Sequence, residues 1–424
     1  MLSERFKNDN VARLTLKEAQ LAARNEYLSQ VALGKYQFES VICECGSSDL
    51  EILAKKDRYA IPITTQICKS CGQVFTSPRL NQTSTSDFYA NLYRKLYVGA
   101  SAADEQFFNR QVRHGNRILR YLSDVIEPNS GSVLEIGCGA GGILKPLEEA
   151  GYSCIGVDLG DTYLDMGRQF GLSLHCMSSQ QLVETTKEKF NLVILSHVFE
   201  HFLDIGKELN TISSLLAKNG LLYIEVPGLF NLRNTYDSDF LKYLQNAHNY
   251  HFNLALLKRV LGKYGFSLVK GNEYVQAVFK KSDNSVPCTD NQYPSIRAFL
   301  DDLESNRECY VKQQSENAEL AIRQRFSELD LTLSAFPDES VSLYGTGLHT
   351  KQLLSFITQA KKLKNIISPD AKEHGNTIGD LPVVALEAQI PKAIVISSNS
   401  YQETILRRIS HLESSEVEII CLYK

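Results

Sequence analysis

Four of the ten cysteines stand in two tight pairs, Cys43-Glu-Cys45-Gly and Cys68-Lys-Ser-Cys71-Gly. Each pair sets two thiols on one turn, and the glycine after the second lets the backbone come close. Two such turns joined by a hairpin make a tetrahedral four-thiolate set suited to structural zinc. The first pair has one intervening residue where two are usual, and four unligated thiols are the other reading. No histidine or water-bearing position accompanies the set, which argues against a catalytic zinc. The other six, Cys138, Cys154, Cys176, Cys288, Cys309 and Cys421, are scattered singly. They read as small buried hydrophobes of a reducing compartment.

A second cluster is glycine-rich: Val133-Leu-Glu-Ile-Gly137-Cys-Gly139-Ala-Gly141-Gly142. It falls between a predicted strand and a predicted helix, so ligand atoms can approach the backbone and the free N–H groups of a helix start. Glu135, two positions before the first glycine, would repel a pyrophosphate but not a sulfonium amino acid. Asp158 ends the next predicted strand, near the spacing at which a carboxylate grips ribose hydroxyls. Further on, His197, Glu200 and His201 are spaced to share one helical face. That is a possible metal or acid/base cluster, although H-x-x-E-H lies outside its usual metalloprotease context. Asn246-Ala-His248-Asn-Tyr250-His251-Phe252 follows the fifth predicted strand.

The elements that must carry these residues follow from periodicity. The first forty residues, with Leu14, Leu16, Ala19, Ala22 and Ala23 near helical spacing, read as a helical extension. Residues 41–98 form the cysteine-bearing module, and Phe88 to Leu122 has helical spacing. Pro128 to Gly131 is a turn. From Ser132 strands and helices alternate, with strands at Ser132–Ile136, Ser153–Val157, Leu172–His175, Leu192–Leu195 and Leu221–Val226, the pattern of a parallel sheet covered by helices. The expected α/β domain spans 99–280. A polar stretch, Lys281 to Tyr293, opens a helical connector over 281–335. A second α/β unit covers 336–424, with strands at Val341–Tyr344, Asn365–Ser368, Val383–Val384, Ala393–Ser397 and Val417–Leu422.

With 424 residues the chain is long enough for roughly two to four domains. Its net charge of −4 argues against a mainly electrostatic nucleic-acid binder. Its longest apolar runs, such as Gly220 to Phe230, are interrupted by a charge and a proline, short of a membrane span. Met1 to Asn10 has no apolar core of a signal peptide. A cytoplasmic, multidomain protein is expected.

The motifs resemble those of the class I S-adenosylmethionine-dependent methyltransferases. Leu134-Glu-Ile-Gly-Cys-Gly-Ala-Gly matches their first motif and Gly156-Val-Asp158 their ribose-binding acid. Leu195-Ser-His197-Val-Phe-Glu200-His201-Phe-Leu-Asp204 looks like their fourth-strand motif, and Leu221-Leu-Tyr-Ile-Glu-Val-Pro227 like the fifth strand. The resemblance covers roughly Gly99 to Val275. It implies a Rossmann-like core with S-adenosylmethionine on Glu135, Gly137, Cys138, Gly139, Gly141, Asp158, Leu159, Ser196 and His197. It also favours wall-building over metal ligation for His197, Glu200 and His201. At the third strand, where an acid often meets the adenine amino group, the chain has His175-Cys-Met177-Ser178.

A zinc ribbon, a methyltransferase core and a C-terminal Rossmann-like domain, in that order, resemble the nucleotide-sugar C-methyltransferases and polysaccharide-associated methyltransferases. Counted back from Gly265-Phe266, His248 falls on their general-base histidine, while Gln245 and Ala247 replace the accompanying tyrosine and glutamate. The catalytic candidates are therefore His248, His251 and His197, with His251 more a structural residue. The C-terminal Val341-Ser-Leu-Tyr-Gly345-Thr-Gly347 turn resembles the last domain of the same enzymes. It would hold the substrate's nucleotide or phosphate end, or simply pack. The implied activity is methylation of a sugar, a nucleotide sugar in the first place, with a structural zinc and no nucleic-acid partner. A methyltransferase for another small metabolite and a non-catalytic assembly protein are the alternatives.

Overall fold

The computed structural model describes residues 1–99, 103–127, 130–282, 290–386, 391–398, 402–415 and 417–423. Cys288, Pro128, Asn129 and most of the 281–293 stretch lie outside the described residues. The chain divides into two compact units, Met1–Val311 and Lys312–Lys424.

The first unit is built on seven strands: β1 (Ser132–Ile136), β2 (Ser153–Asp158), β3 (Ser173–Cys176), β4 (Phe190–Ser196), β5 (Leu216–Glu225), β6 (Phe266–Gly271) and β7 (Gln276–Lys281). Their order is β6-β7-β5-β4-β1-β2-β3. The pairs among β1 to β5 are parallel, and β7 is antiparallel to both β5 and β6. Strands covered on both faces need apolar side chains on both. Leu134, Val193, Ile194, Leu222 and Ile224 are accordingly buried. Helices complete the layers by their apolar stripes; in Ile205–Leu215 the stripe is Ile205, Leu209, Ile212 and Leu215. The order of strand succession reverses between the parallel neighbours β1 and β4, and ligands bind at such switch points, beyond the carboxyl ends of the strands.

The structure shifts the predicted elements by a few residues. The first helix is Glu18–Ala32, so Leu14 and Leu16 precede it, and it buries Ala23 and Tyr27 against Tyr36, Tyr59 and Phe88. β5 begins at Leu216, five residues before its predicted start, with a break in pairing between Leu216 and Leu221. The hydrophilic Lys218 and Asn219 in that break hid the early start.

A separate antiparallel sheet carries the cysteine module. Leu50–Lys56, Pro62–Cys68 and Val74–Thr76 form its meander, and Tyr250–His251 adds the fourth strand. Tyr250 pairs with Phe75 and His251 with Val74. The loop after β5 is thus hydrogen-bonded into the module that precedes the core in sequence.

The second unit has its own six-stranded sheet, ordered Thr377–Ile378, Leu381–Val384, Leu363–Ile367, Val341–Tyr344, Ala393–Ile396, Glu418–Cys421. All pairs but the first are parallel. Val341, Leu343, Ile366 and Val395 form its core. It is a second Rossmann-like α/β domain.

Candidate active site

β1 ends at Ile136, and the chain turns through Gly137 and Gly139 at φ +73° and +59°. This left-handed backbone favours glycine. A Cβ on Gly137 would lie 2.5 Å from Val198 Cγ2, so the glycine also lets the β4 loop close over it. Asp158, at the end of β2, accepts a hydrogen bond from Gly139 N (2.9 Å) on one oxygen and from Gly160 N (2.8 Å) on the other. The two strand ends and the glycine turn are locked together by this carboxylate.

A cavity of about 510 Å³ opens above them. Glu135, Gly137, Gly139, Asp158 and Leu159 line one side and Met177 to Gln180 another. Ser196, His197 and Val198 come from the end of β4. The opposite wall is Gln82, Thr85, Ser86, Tyr89, Tyr93 and Arg94, from helices Gln82–Asn91 and Tyr93–Tyr97. The Tyr89 and Tyr93 rings stack with centroids 4.5 Å apart. The Arg94 guanidinium lies 4.1 Å over the Tyr163 ring and 3.5 Å from Asp158 Oδ1.

Comparison with known proteins agrees with this geometry. Residues 108–270 match the sequence profile of a family described as a methyltransferase domain. The chain carries a methyltransferase domain over these residues. It is 28% identical over 97 residues to a ubiquinone biosynthesis O-methyltransferase of Bartonella tribocorum, covering 22% of this chain and 39% of that protein. It is 25% identical over 215 residues to the C-methyltransferase NovU of Streptomyces niveus, covering 49% of this chain and 47% of that one. The chain thus spans less than half the length of these relatives. Among solved structures, a 1,6-didemethyltoxoflavin-N1-methyltransferase of Burkholderia thailandensis aligns with 17% identity and a TM-score of 0.35 over 50% of this chain and 96% of that one.

Within the methyltransferase domain, seven of the nine cofactor-binding candidates reach the cavity wall: Glu135, Gly137, Gly139, Asp158, Leu159, Ser196 and His197. Cys138 and Gly141 are not among the residues that line it. Cys138 is fully buried with its sulfur against Gly156, and a Cβ on Gly141 would meet Leu174 at 2.8 Å. Both serve the packing of the turn onto the sheet. Burial, aided by Asp158, pushes the Glu135 pKa well above the usual carboxylate range. Its Oε2 is buried without a partner among the described residues, a polar atom open to a ligand.

The histidines separate by position. His197 has φ +56° and a side chain 49% exposed in the cavity wall. Its N–H donates to Glu225 O at 2.8 Å, which fixes the strained residue at the strand end. Burial disfavours its charged form, but the Glu200 and Glu225 carboxylates outweigh this and raise its pKa above 6.5. His201 also lines the cavity. His248 is 4% exposed, behind His201, with ring centroids 4.8 Å apart. Burial, reinforced by His201 and His251, holds its pKa well below 6.5. His251 is 1% exposed in the module's sheet, with neither ring nitrogen partnered among the described residues, and burial lowers its pKa to about 3. Neither His248 nor His251 lines the cavity.

Sequence reasoning missed the wall built by Tyr89, Tyr93 and Arg94, and also His114. His114 Nε2 lies 2.7 Å from Glu225 Oε2, which also accepts from Tyr223 Oη. Burial opposes the Glu225 charge, yet these bonds, His114 first, bring its pKa down to about 2. The clustering of tyrosines with Arg94 on a helical stretch was the visible signal.

The loop bearing His248 is gripped by the cysteine module. Asp57, fully buried at the hairpin turn, accepts from Tyr59 N, Ile61 N and Asn246 N at 2.8 to 3.0 Å. Arg58 NH2 donates to Gln245 Oε1 at 2.5 Å. At the far end of the hairpin, Cys43, Cys45, Cys68 and Cys71 gather their sulfurs within 4.8 Å of one another. Three of the separations are 3.4, 3.5 and 3.6 Å. A tetrahedral ion with sulfur bonds of about 2.3 Å requires separations of about 3.8 Å, so the set fits zinc with a small expansion. Gly46 and Gly72 follow the second thiols at φ +83° and +85°, as tight turns around a ligand require.

Proposed function

We propose that the protein is an S-adenosylmethionine-dependent methyltransferase acting on a sugar, with a nucleotide sugar the first candidate, and that its four-cysteine set holds a structural zinc. The observation that carries the reading is Asp158, locked to Gly139 at the cavity wall with carboxylate lone pairs to spare for ribose hydroxyls. Bound S-adenosylmethionine would supply a methyl group on a sulfonium centre, open to in-line attack. Gly137 and Gly139 leave room for its amino-acid end, Glu135 offers its orphaned oxygen there, and Leu159, Met177 and Ser178 wall the adenine side. Tyr89 and Tyr93 supply ring faces for the acceptor, and Gln82, Thr85 and Ser86 supply hydrogen-bonding groups for hydroxyls. Orientation between these walls supplies much of the rate. His197, the candidate base in the wall, takes the proton that the accepting atom sheds. His248, the base suggested by the family resemblance, reaches the cavity only through His201.

The test is mass spectrometry of a nucleotide-sugar panel incubated with the protein and S-adenosylmethionine. One member should gain the mass of one methylene. Failure of every sugar alongside transfer to a phenolic or other small acceptor would overturn the sugar reading, and absence of any transfer would leave the assembly-protein reading in its place.

The zinc has its own expected result. Cys68→Ser should remove one equivalent of zinc and lower the thermal stability of the first unit. Because Val74–Thr76 pairs with Tyr250–His251, it should also lower turnover more than methyl-donor affinity. A folded, active wild-type protein free of zinc by elemental analysis would sink the assignment.

A further inference from the structure

We propose that Glu200, His201 and His248 bind a divalent cation beneath the floor of the cavity, where it can take an oxygen of the acceptor; the acceptor role rests on the methyltransferase reading above. Glu200 is 2% exposed, and neither carboxylate oxygen has a hydrogen-bond partner among the described residues. Among the described residues no hydrogen-bond donor reaches this buried carboxylate and only imidazoles at 3.7 to 3.8 Å face it, an environment that points to a missing cation.

The surroundings are those of a ligand set. His201 Nε2 and His248 Nε2 each lie 3.8 Å from Glu200 Oε1, and His197 Nδ1 lies 3.7 Å from it. These gaps are too long for hydrogen bonds. Two atoms each about 2.1 Å from one ion are roughly 3 to 4 Å apart, so the same gaps suit atoms that share an ion. The donor atoms of Glu200, His201 and His248 all lie within 4.8 Å of one another.

The rings are also oriented from behind. His201 Nδ1 lies 2.9 Å from Ala247 O and 2.8 Å from Tyr89 Oη. A ligating imidazole is commonly held this way, donating its other N–H to a carbonyl and turning its free lone pair to the metal. The His248 Nδ1 is buried without a partner among the described residues, while its Nε2 faces the carboxylate and is hydrogen-bonded to the Gln245 amide, which must turn aside for this nitrogen to ligate. Asn249 N donates to Glu200 O at 2.9 Å and Asn249 Nδ2 to His201 O at 2.8 Å, so the segments bearing the three ligands are pinned together before any ion arrives.

Two imidazoles and one carboxylate select a borderline cation such as zinc, manganese, cobalt or ferrous iron, and leave coordination positions open. His201 lines the cavity, so an open position on that side would meet the acceptor, with His197 beside it.

Cobalt(II) is the probe, titrated into the full-length protein after chelator dialysis. With the cysteine set still holding its zinc, wild type should bind one equivalent with visible d–d bands but no thiolate-to-cobalt charge-transfer band, which separates this site from the cysteine set. Glu200→Gln, which keeps the shape of the side chain, should weaken that binding by at least about 10–100-fold, and His248→Ala should do likewise. Cobalt appearing only with thiolate bands, or binding equally to wild type and Glu200→Gln, would overturn the proposal. Cobalt held at the nitrogen–oxygen site of a protein that transfers no methyl group would support the cation site and count against the methyltransferase reading alone.

Discussion

Asp158→Ala should weaken S-adenosylmethionine binding about 10- to 150-fold, the equivalent of about 1.5–3 kcal/mol for lost charge-assisted hydrogen bonds. The carboxylate has two duties. It orders the glycine turn through Gly139 N and Gly160 N, and it presents its remaining lone pairs to the ribose. Removing it leaves two backbone donors unsatisfied at the cofactor turn, which places the expected loss toward the upper part of that range. Gly139→Val should cost more. Its φ of +59° disfavours a β-branched residue, and a Cβ there would lie 3.0 Å from Gln111 Nε2 before the rest of the side chain is added. Titration calorimetry with S-adenosylmethionine checks both, and wild-type affinity in the two variants would remove the methyl-donor assignment.

His197→Ala should lower turnover about 10²–10⁴-fold, well beyond any accompanying loss of S-adenosylmethionine affinity from its place in the cavity wall. The reason is position: among His197, His248 and His251, only His197 stands in the cavity wall. His251→Ala should act differently, since the ring packs within the module's sheet. It should cost stability, on the order of 1–3 kcal/mol, and show up in thermal unfolding before it shows in the rate. His248→Ala separates two roles for that residue. Loss of turnover together with bound cobalt marks a cation ligand, whereas loss of turnover with cobalt retained, and near-normal turnover in His197→Ala, would return the base to His248.

What the chain reveals without its structure is what depends on neighbours in sequence. The strands of the core are buried on both faces, so each is a short apolar run set between turn residues, and their alternation with helices announces a parallel sheet. The glycine turn is legible for the same reason, because a backbone at φ +73° and +59° within three residues demands glycine there. Asp158 follows from the one-strand offset between β1 and β2, and the cysteine pairs from the tight turns that hold them. Each of these features is read from residues that are near neighbours in the chain or from one element to the next.

Tertiary structure decided the rest, because those contacts join segments that share no local pattern. Nothing around Tyr250 or His251 shows that they pair with Phe75 and Val74, since a two-residue strand carries no periodicity. Nor does the sequence reveal that Asp57 binds Asn246 N across a sequence separation of 189. That docking draws His248 behind His201 instead of into the cavity, and it sets Glu200 among three imidazoles. Cys138 and Gly141 show the converse: motif position marked them as cofactor contacts, and the packing of the turn against Gly156 and Leu174 turned them inward. Helical spacing put Tyr89, Tyr93 and Arg94 on helices, but only the fold of the first unit brought those helices over the carboxyl edge of the sheet. There a side chain's meaning is set by the surface opposite it, which local sequence does not specify.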